Sequence, residues 1–390
     1  MMNQEFEKYA RGHHKAVRQW KAETGKKVFG YFCCVVPEEI IFAADALPVR
    51  IVGTSDPLEQ AQLHVPPNSC PFARSCLDAG MRGLYDYLDG VVVPTTCDIV
   101  SVMGYFWDRR VPHSRQSNPV RAQDMKPFVF HVSYPEKTTG PAALRFYENV
   151  VMEFKQNLER SLHRIITDAD LSRAISVYNE QKRQMKRMYD LRKQNPPALS
   201  GYEAWRISFA ASLMPKDRHA ELLRQYLDSV EKEQRAASEG VRLYFAAGPL
   251  DPVDAEVIRV IEESGGQVVS DDSCHGTRSF WHPIPTDRPP LEAICRRSLA
   301  VTCPRSASDA RIPEHRWEHI SETAAGYNIA GVIFYALKYC DGRSAENPHL
   351  IDKVRQEWQL PVLPLEGDHT PAGVEQMRER IESFIEMIEG

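Results

Sequence analysis

The run Asn68-Ser-Cys-Pro-Phe-Ala-Arg-Ser75 opens the stretch that decides the fold, and Val91-Val-Val-Pro-Thr-Thr-Cys-Asp98 closes it. Cys70 lies near its beginning and Cys97 near its end. Between them, apolar residues recur at helical spacing and predict a short helix over Leu77–Leu88. A turn then leads into the apolar strand of the closing run. Each cysteine is therefore expected where a loop meets a regular element, which is where α/β folds carry functional groups.

The segment before this stretch has the pattern of a βαβ unit. A strand is predicted at Val28–Cys34, a helix over Pro37–Ala46 and a second strand at Pro48–Val52. Such units build a parallel sheet that helices cover on both faces. With the strand at Val91–Val93, a further strand expected at Phe128–Val132 would complete this sheet.

After a long helical section, the second half of the chain repeats the alternation of strands and helices. Helical periodicity runs through Pro141–Gln194 and Tyr202–Ala237. Beyond it, strands are predicted at Val241–Ala247, Gln267–Asp271, Val332–Tyr335 and Pro361–Leu365, with helices at Asp254–Ser264 and Pro371–Met387. The predicted fold class is α/β, with two doubly wound parallel-sheet lobes.

Four parts are expected along the chain. Residues 1–25 hold an N-terminal helix, predicted over Gln4–Glu23, and residues 26–140 form the first lobe. Residues 141–238 form the helical connecting section, and residues 239–390 form the second lobe.

Composition limits the classes of function. The chain has 390 residues, of which 43% are hydrophobic and 26% charged, so it can bury a core larger than that of one typical domain. A net charge of -5 gives no reason to expect nucleic acid or a membrane surface as partner. No apolar run of about 18 residues occurs and the N-terminus is polar, so no spanning helix or secretory signal is expected. The predicted location is the cytoplasm.

Nine cysteines stand out in a chain of this kind. Cytosolic thiols stay reduced and the count is odd, so a disulfide framework is not expected. No Cys-x-x-Cys pair suggests a structural zinc site. Each cysteine is compatible with a small buried hydrophobe. However, Cys97 and Cys340 both follow predicted strands and Cys70 precedes a helix, and three separated cysteines also suit an iron–sulfur cluster with one iron free of thiolate. Spacing alone leaves both interpretations open.

Several runs resemble one known family. They are Cys70-Pro-Phe-Ala-Arg-Ser, Pro94-Thr-Thr-Cys97-Asp98, Lys338-Tyr-Cys340-Asp341, Pro37-Glu-Glu-Ile-Ile-Phe-Ala-Ala44 and the stretch Gly265–Arg278. Together they resemble the 2-hydroxyacyl-CoA dehydratase and benzoyl-CoA reductase family, from about Gly30 to the C-terminus. In that family, cysteines at the positions of Cys70, Cys97 and Cys340 hold a [4Fe–4S] cluster between two doubly wound domains. The resemblance therefore implies these three residues as cluster ligands.

The run from Cys70 to Leu84-Tyr-Asp-Tyr-Leu-Asp-Gly90 is most similar to the smaller cluster-bearing subunit of benzoyl-CoA reductase. That resemblance implies ATP-dependent reduction of the aromatic ring of benzoyl-CoA to a cyclic dienoyl-CoA, with ferredoxin electrons, in anaerobic aromatic degradation. It also implies a heterodimer with a related cluster-bearing subunit and a separate ATP-hydrolysing activator. This chain has no phosphate-binding glycine motif, so ATP is expected to act on the activator.

Three alternatives accompany this hypothesis. The first is a subunit of an iron–sulfur 2-hydroxyacyl-CoA dehydratase, a radical lyase. The second is a non-catalytic iron–sulfur electron-relay or scaffold protein. The third is a metal-free α/β protein whose cysteines are merely buried.

Three further residues are candidates for catalysis. Glu38 follows a predicted strand and would face the cleft, although a carboxylate in a first helical turn also suits the helix dipole. Cys274 and His275 follow the strand that ends near Asp271, which places them at the same edge. A buried thiol and a loop histidine are the simpler interpretation of these two.

The remaining singled-out residues are expected to be structural. His131, within a strand, is predicted to be a core histidine. Cys33 and Cys34 are adjacent at a predicted strand end and would point to opposite faces, so they are not expected to share one site. Cys76, Cys295 and Cys303 are interpreted as structural.

Overall fold

The computed structural model of the protein describes residues 3–111, 129–303 and 312–390. Its first parallel sheet contains β1 (Val28–Tyr31), β2 (Leu47–Arg50), β3 (Gly90–Pro94) and β4 (Val129–Val132), in the order β2-β1-β3-β4. Phe128, the first residue of the predicted fourth strand, lies outside the described residues.

The second parallel sheet contains β5 (Val241–Ala247), β6 (Gly266–Asp271), β7 (Gly331–Leu337) and β8 (Val362–Gly367), in the order β6-β5-β7-β8. Both sheets thus share one order, in which the chain builds outward on one side and then crosses to the other. This confirms the predicted class of two doubly wound α/β lobes. In such sheets the carboxyl ends of the two central strands leave a crevice, here beyond β1 and β3 and beyond β5 and β7.

Helices surround these sheets. In the first lobe they are α1 (Gln4–Thr24), α2 (Glu38–Ala43), α3 (Pro71–Met81) and α4 (Asp98–Arg110). The middle section contains α5 (Pro141–Leu162), α6 (Asp168–Asp190), α7 (Gly201–Ala211) and α8 (Lys216–Lys232). The second lobe adds α9 (Glu256–Glu263), α10 (Thr277–Phe280), α11 (Pro290–Leu299), α12 (Ile312–Ala324), α13 (Asp341–Lys353), α14 (Pro371–Glu375) and α15 (Arg378–Glu389). No helix in the described ranges is long and apolar enough to cross a membrane.

The helix predicted over Leu77–Leu88 is displaced toward the N-terminus. It begins at Pro71, whose fixed φ and missing N–H suit a first helical position, and it ends at Met81. Gly83 then takes a φ of 82°, which turns the chain away. The closing helix predicted over Pro371–Met387 is likewise two helices, α14 and α15.

The lobes and the middle section pack as one body. One continuous apolar core contains β-strand residues of both sheets, such as Val91 and Leu243, together with Trp205 of α7. A second core lies under the other face of the first sheet, where α5 and α6 meet Cys295 of α11 from the second half. The segments that follow β2 and β5 also touch, through Gly53 and Asp251, so the carboxyl edges of the two sheets lie against each other.

Candidate functional site

The three candidate cluster cysteines occupy equivalent places in the fold. Cys97 follows β3 and is the N-cap residue of α4, whereas Cys340 follows β7 and is the N-cap residue of α13. Cys70 is the N-cap residue of α3. The prediction that Cys70 and Cys97 lie where a loop meets a regular element is confirmed, and each of the three begins a helix.

Helix N-termini bring positive charge to these sulfurs. The Cys70 sulfur is within hydrogen-bonding reach of the backbone N–H groups of Ala73 and Phe72, and Cys97 is within reach of that of Val100. Unpaired N–H groups and the helix dipole stabilise a thiolate at this position. The local backbone thus favours negative charge on Cys70 and Cys97.

The three thiols also influence one another. Burial and, next, the charge on Cys340 raise the pKa of Cys70 to about 12. Burial raises the pKa of Cys97, as do charges on Cys33, Cys70 and Cys340. Burial raises the pKa of Cys340 to about 11. Three distant segments therefore present their thiols to a common region, where a bound cation would be needed to hold them as thiolates.

The donor set suits an iron–sulfur cluster. All nine cysteines are free thiols. In the described ranges, no three His, Cys, Asp or Glu side chains stand in an arrangement that would hold a metal ion. A four-iron cluster binds each thiolate to a different iron and so spaces its ligands more widely than a single ion does. The three cysteines fit such a group by type and position, and their role as ligands stays a prediction.

The three candidates for catalysis come together elsewhere at this edge. Glu38, Cys274 and His275 all line a small chamber of about 30 Å³ between the lobes and the helical section. The basic residues of its lining are Arg50 of β2, Lys182 of α6 and Lys216 of α8. The structure thus joins residues that the sequence separates by more than 200 positions.

Glu38 is held by three partners inside the chamber. Its Oε2 lies 3.1 Å from the Lys216 ammonium and accepts hydrogen bonds from the hydroxyls of Tyr31 and Tyr178, each at 3.3 Å. Glu38 also lies in the first turn of α2, so its position agrees with both interpretations made from the sequence.

Cys274 and His275 are both buried and differ in charge. The thiols of Cys303 and Cys34 donate to the Cys274 sulfur, and with the nearby guanidinium groups of Arg278 and Arg50 they lower the pKa of Cys274 well below its usual range. Burial lowers the pKa of His275 to about 3, so its imidazole is neutral near pH 7. Cys303, interpreted from the sequence as merely structural, is therefore part of this thiol group.

One expectation from the sequence needs correction, and so does the reason given for a second. His131 is exposed rather than a core histidine, because β4 is an edge strand and alternate residues of it face away from the core. Strand β1 ends at Tyr31, so strand alternation does not separate Cys33 from Cys34. Cys33 instead takes a φ of 62° and contacts the Thr96 hydroxyl at 3.1 Å, whereas Cys34 meets Cys274.

A buried histidine where the two lobes meet, beside Gly53, was not found from the sequence. His369 pairs through Nδ1 with Asp254 at 2.6 Å, and Asp251 Oδ2 lies 4.0 Å from its Nε2. Asp251 also accepts the backbone N–H of Gly53 at 2.5 Å, which joins the second lobe to the first. Burial alone would lower the pKa of His369, but the two carboxylates outweigh it and raise the pKa to about 9.

A buried ionic network supports the helix that begins at Cys340. Asp272, fully buried after β6, accepts from Arg316 Nε at 2.7 Å and from the Ala247 N–H at 2.8 Å. Arg316 also pairs with Glu346, and Arg343 donates to the Ala247 carbonyl. Because Arg343 and Glu346 belong to α13, the network fixes that helix against the carboxyl edge of the second sheet.

Comparison with known proteins gives consistent matches along nearly the whole chain. The family model described as 2-hydroxyglutaryl-CoA dehydratase, D-component, matches residues 33–388. One subunit of the benzoyl-CoA reductase of Thauera aromatica is 25% identical over 376 residues, covering 96% of this chain and 94% of that protein. The (R)-phenyllactyl-CoA dehydratase beta subunit of Clostridium sporogenes is 25% identical over 389 residues, covering 98% of each. The beta subunit of (R)-2-hydroxyglutaryl-CoA dehydratase from Acidaminococcus fermentans is 25% identical over 396 residues, covering 99% of this chain and 98% of that protein.

Proposed function

The chain belongs to the family described as 2-hydroxyglutaryl-CoA dehydratase, D-component, and on that premise we propose that it is the [4Fe–4S]-bearing subunit of an ATP-dependent benzoyl-CoA reductase. The observation that carries the proposal is the equivalent placement of Cys70, Cys97 and Cys340, each at the N-terminus of a helix at the meeting edges of the sheets. The similarity to a named reductase subunit supports the same choice.

In this proposal the three cysteines hold the cluster and the fold protects it. When bound, the cluster would supply low-potential electrons for reduction of an aromatic thioester. Cys70 is only 8% exposed, and the surrounding apolar core would keep water from the sulfurs. The N–H groups of Ala73, Phe72 and Val100 would stabilise the negative charge of the thiolates.

Glu38 is the group best placed to exchange a proton. Its Oε2 is surrounded by the Lys216 ammonium and the hydroxyls of Tyr31 and Tyr178, which would hold the carboxylate in place and relay a proton to or from it. We assign Cys274 and His275 a secondary role as lining of the same chamber.

The proposed assembly follows from the same premise. The chain would pair with a related cluster-bearing subunit, receive electrons from ferredoxin through a separate ATP-hydrolysing activator, and act on an acyl-CoA in the cytoplasm. Nucleic acid and membrane are not among the proposed partners. The three relatives are themselves named as subunits, which supports a heteromeric complex.

A second candidate function is a subunit of a 2-hydroxyacyl-CoA dehydratase, favoured by the dehydratase names of other relatives. The complete complex separates the two candidates. A reductase consumes electrons in stoichiometric amounts with benzoyl-CoA, whereas a dehydratase turns over a 2-hydroxyacyl-CoA without net electron consumption. A non-catalytic relay protein would bind the cluster but would have no affinity for acyl-CoA.

The cluster itself is tested by anaerobic purification followed by iron and acid-labile sulfide analysis. We expect about four irons and four sulfides per chain. The variants Cys70→Ser, Cys97→Ser and Cys340→Ser should each lose them. Cys295→Ser is the matched control, because Cys295 is fully buried in the other core and should keep the cluster. Iron-free protein, or equal iron in all four variants, would refute the assignment.

A further inference from the structure

Three thiols from distant parts of the chain meet at Cys274. Cys34 lies after β1, Cys274 after β6 and Cys303 after α11, and both Cys34 and Cys303 lie within hydrogen-bonding reach of the Cys274 sulfur. These three residues form the thiol triad. From this geometry we propose that hydrogen peroxide oxidises Cys274 and that Cys303 then captures the oxidised sulfur in a disulfide. This inference goes beyond the proposed function and does not rest on it.

The surroundings of Cys274 favour its ionised form. The thiols of Cys303 and Cys34 donate to its sulfur, and with the positive charges of Arg278 and Arg50 they lower the pKa of Cys274, although burial opposes them. The same contact with Cys274 raises the pKa of Cys303 and that of Cys34, so these two keep their protons. Because the thiolate and not the thiol is the nucleophile, Cys274 is the member of the triad that attacks an oxidant.

Two cavities border the triad. Cys34 and Cys274 line the small chamber of about 30 Å³, which has room for a molecule about the size of water. Hydrogen peroxide is only a little larger than water, so it can enter the chamber beside the Cys274 sulfur. Cys303 is half-buried and lines a separate, larger cavity of about 720 Å³. The triad is thus buried in the protein and still within reach of a small polar oxidant.

The chemistry takes two steps. In the first, the Cys274 thiolate attacks one oxygen of hydrogen peroxide, the S–O bond forms, the O–O bond breaks and hydroxide leaves. The sulfur is thereby oxidised to a sulfenic acid and the peroxide is reduced. In the second step, the Cys303 sulfur attacks the Cys274 sulfur, the S–S bond forms and the S–O bond breaks. The thiol proton of Cys303 leaves with the departing hydroxyl group as water.

Cys303 is better placed than Cys34 to form the disulfide. The hydrogen bond from Cys303 has the larger effect on Cys274. Arg297 donates to the Cys34 carbonyl at 3.1 Å and fixes that backbone, whereas Cys303 lies beyond the end of its helix. The disulfide should also be easy to reduce, because the hydrogen bonds and charges that hold Cys274 as a thiolate stabilise the reduced form.

Peptide mapping of the wild-type chain tests the proposal without any variant. Trypsin leaves Cys34, Cys274 and Cys303 on three different peptides, residues 28–50, 260–278 and 298–305. The full chain is purified anaerobically, treated with equimolar hydrogen peroxide, alkylated and digested without reduction. We expect mass spectrometry to show peptide 260–278 joined to peptide 298–305, and dithiothreitol to separate them. Absence of this cross-link, or a cross-link from 260–278 to 28–50 in its place, would overturn the proposal.

Serine variants separate the two steps. In Cys303→Ser the sulfenic acid of Cys274 should persist and be trapped by dimedone. In Cys274→Ser the Cys303 thiol should react with peroxide about tenfold more slowly or less, because an ordinary thiol is only a few per cent thiolate near pH 7. Cys295→Ser, in the core under the first sheet, is the matched control and should keep the cross-link. Equal rates of Cys303 oxidation with and without Cys274 would refute the proposed order of attack.

Discussion

Replacement of Asp272 by alanine should reduce the stability of the protein more than any substitution at the surface, because it removes a buried charge at the edge of the second sheet. The Asp272 carboxylate is 0% exposed and lies 2.7 Å from both Nε and a terminal nitrogen of Arg316. A terminal nitrogen of Arg343 lies 3.9 Å away. In Asp272→Ala, the buried guanidinium of Arg316 would keep only Glu346 as a carboxylate partner. The guanidinium of Arg343 would lose the Asp272 carboxylate beside it.

The expected magnitude follows from that burial. Removal of one partner from a buried ion pair costs about 3–5 kcal/mol, because the remaining charge is no longer compensated. The Ala247 N–H, which donates to Asp272 at 2.8 Å, loses its acceptor and adds to the cost. Since a whole domain is stable by only about 5–15 kcal/mol, the variant should lose a large part of its free energy of unfolding.

Equilibrium unfolding in urea, followed by circular dichroism, measures this loss as a lower midpoint at unchanged slope. Glu263→Ala is the control. It breaks contacts with Arg259 and Arg378 at the surface, where Glu263 is 42% exposed, and should cost less than about 1 kcal/mol. A loss below about 1 kcal/mol for Asp272→Ala would refute the reasoning.

Two further predictions concern pH and close packing. His369 and Asp251 both bind protons more tightly when folded, with pKa values raised from 6.5 to about 9 and from 3.8 to about 7 respectively. The stability they contribute is therefore greatest at low pH and is lost as pH rises, through about 7 for Asp251 and about 9 for His369. Between pH 6.5 and 9, the free energy of unfolding of His369→Gln should fall by about 3 kcal/mol less than that of wild type. Urea midpoints that fall with pH as steeply in the variant as in wild type would contradict the assignment. Gly276→Ala should destabilise the loop after β6, because the added methyl group would overlap the Asp271 carboxylate and approach Ser273 Oγ at 2.7 Å. In thermal unfolding, Gly276→Ala should lower the Tm. Gly12→Ala is the control and should change the Tm little, because no atom lies within 4 Å of its new methyl group. Equal Tm values for the two variants would count against close packing at Gly276.

The sequence predicted the elements whose pattern is local. Strand β5 lies at Val241–Ala247, as predicted, because a run of seven buried residues between turn residues leaves little choice. The helix after Cys70 was placed too late, because its beginning depends on Pro71 rather than on the apolar period. Strand β1 was predicted too long, since Cys33 turns the chain with a positive φ that no periodicity reveals.

The candidate site was predictable only as far as its residues follow strands or begin helices. Cys97, Cys340, Cys274 and His275 were singled out in this way, whereas the role of Cys97 and Cys340 as ligands came from the family resemblance and stays a prediction. Arg50 was missed, although a single arginine inside the apolar run Pro48–Val52 is a pattern that marks a buried charge in need of a partner. The contact between Asp251 and Gly53 had no local pattern at all, because it arises only when the two lobes dock.

Docking of the lobes also explains why cysteines and cations gather at one place. Parallel sheets end all their strands at one edge, and the helices that follow point their N-termini back toward it. When two such edges face each other, the positive ends of α3, α4 and α13 meet, and Arg50 and Arg278 are buried nearby. An anionic group is therefore favoured there by the architecture itself. In the proposal the thiolates of a cluster meet that demand.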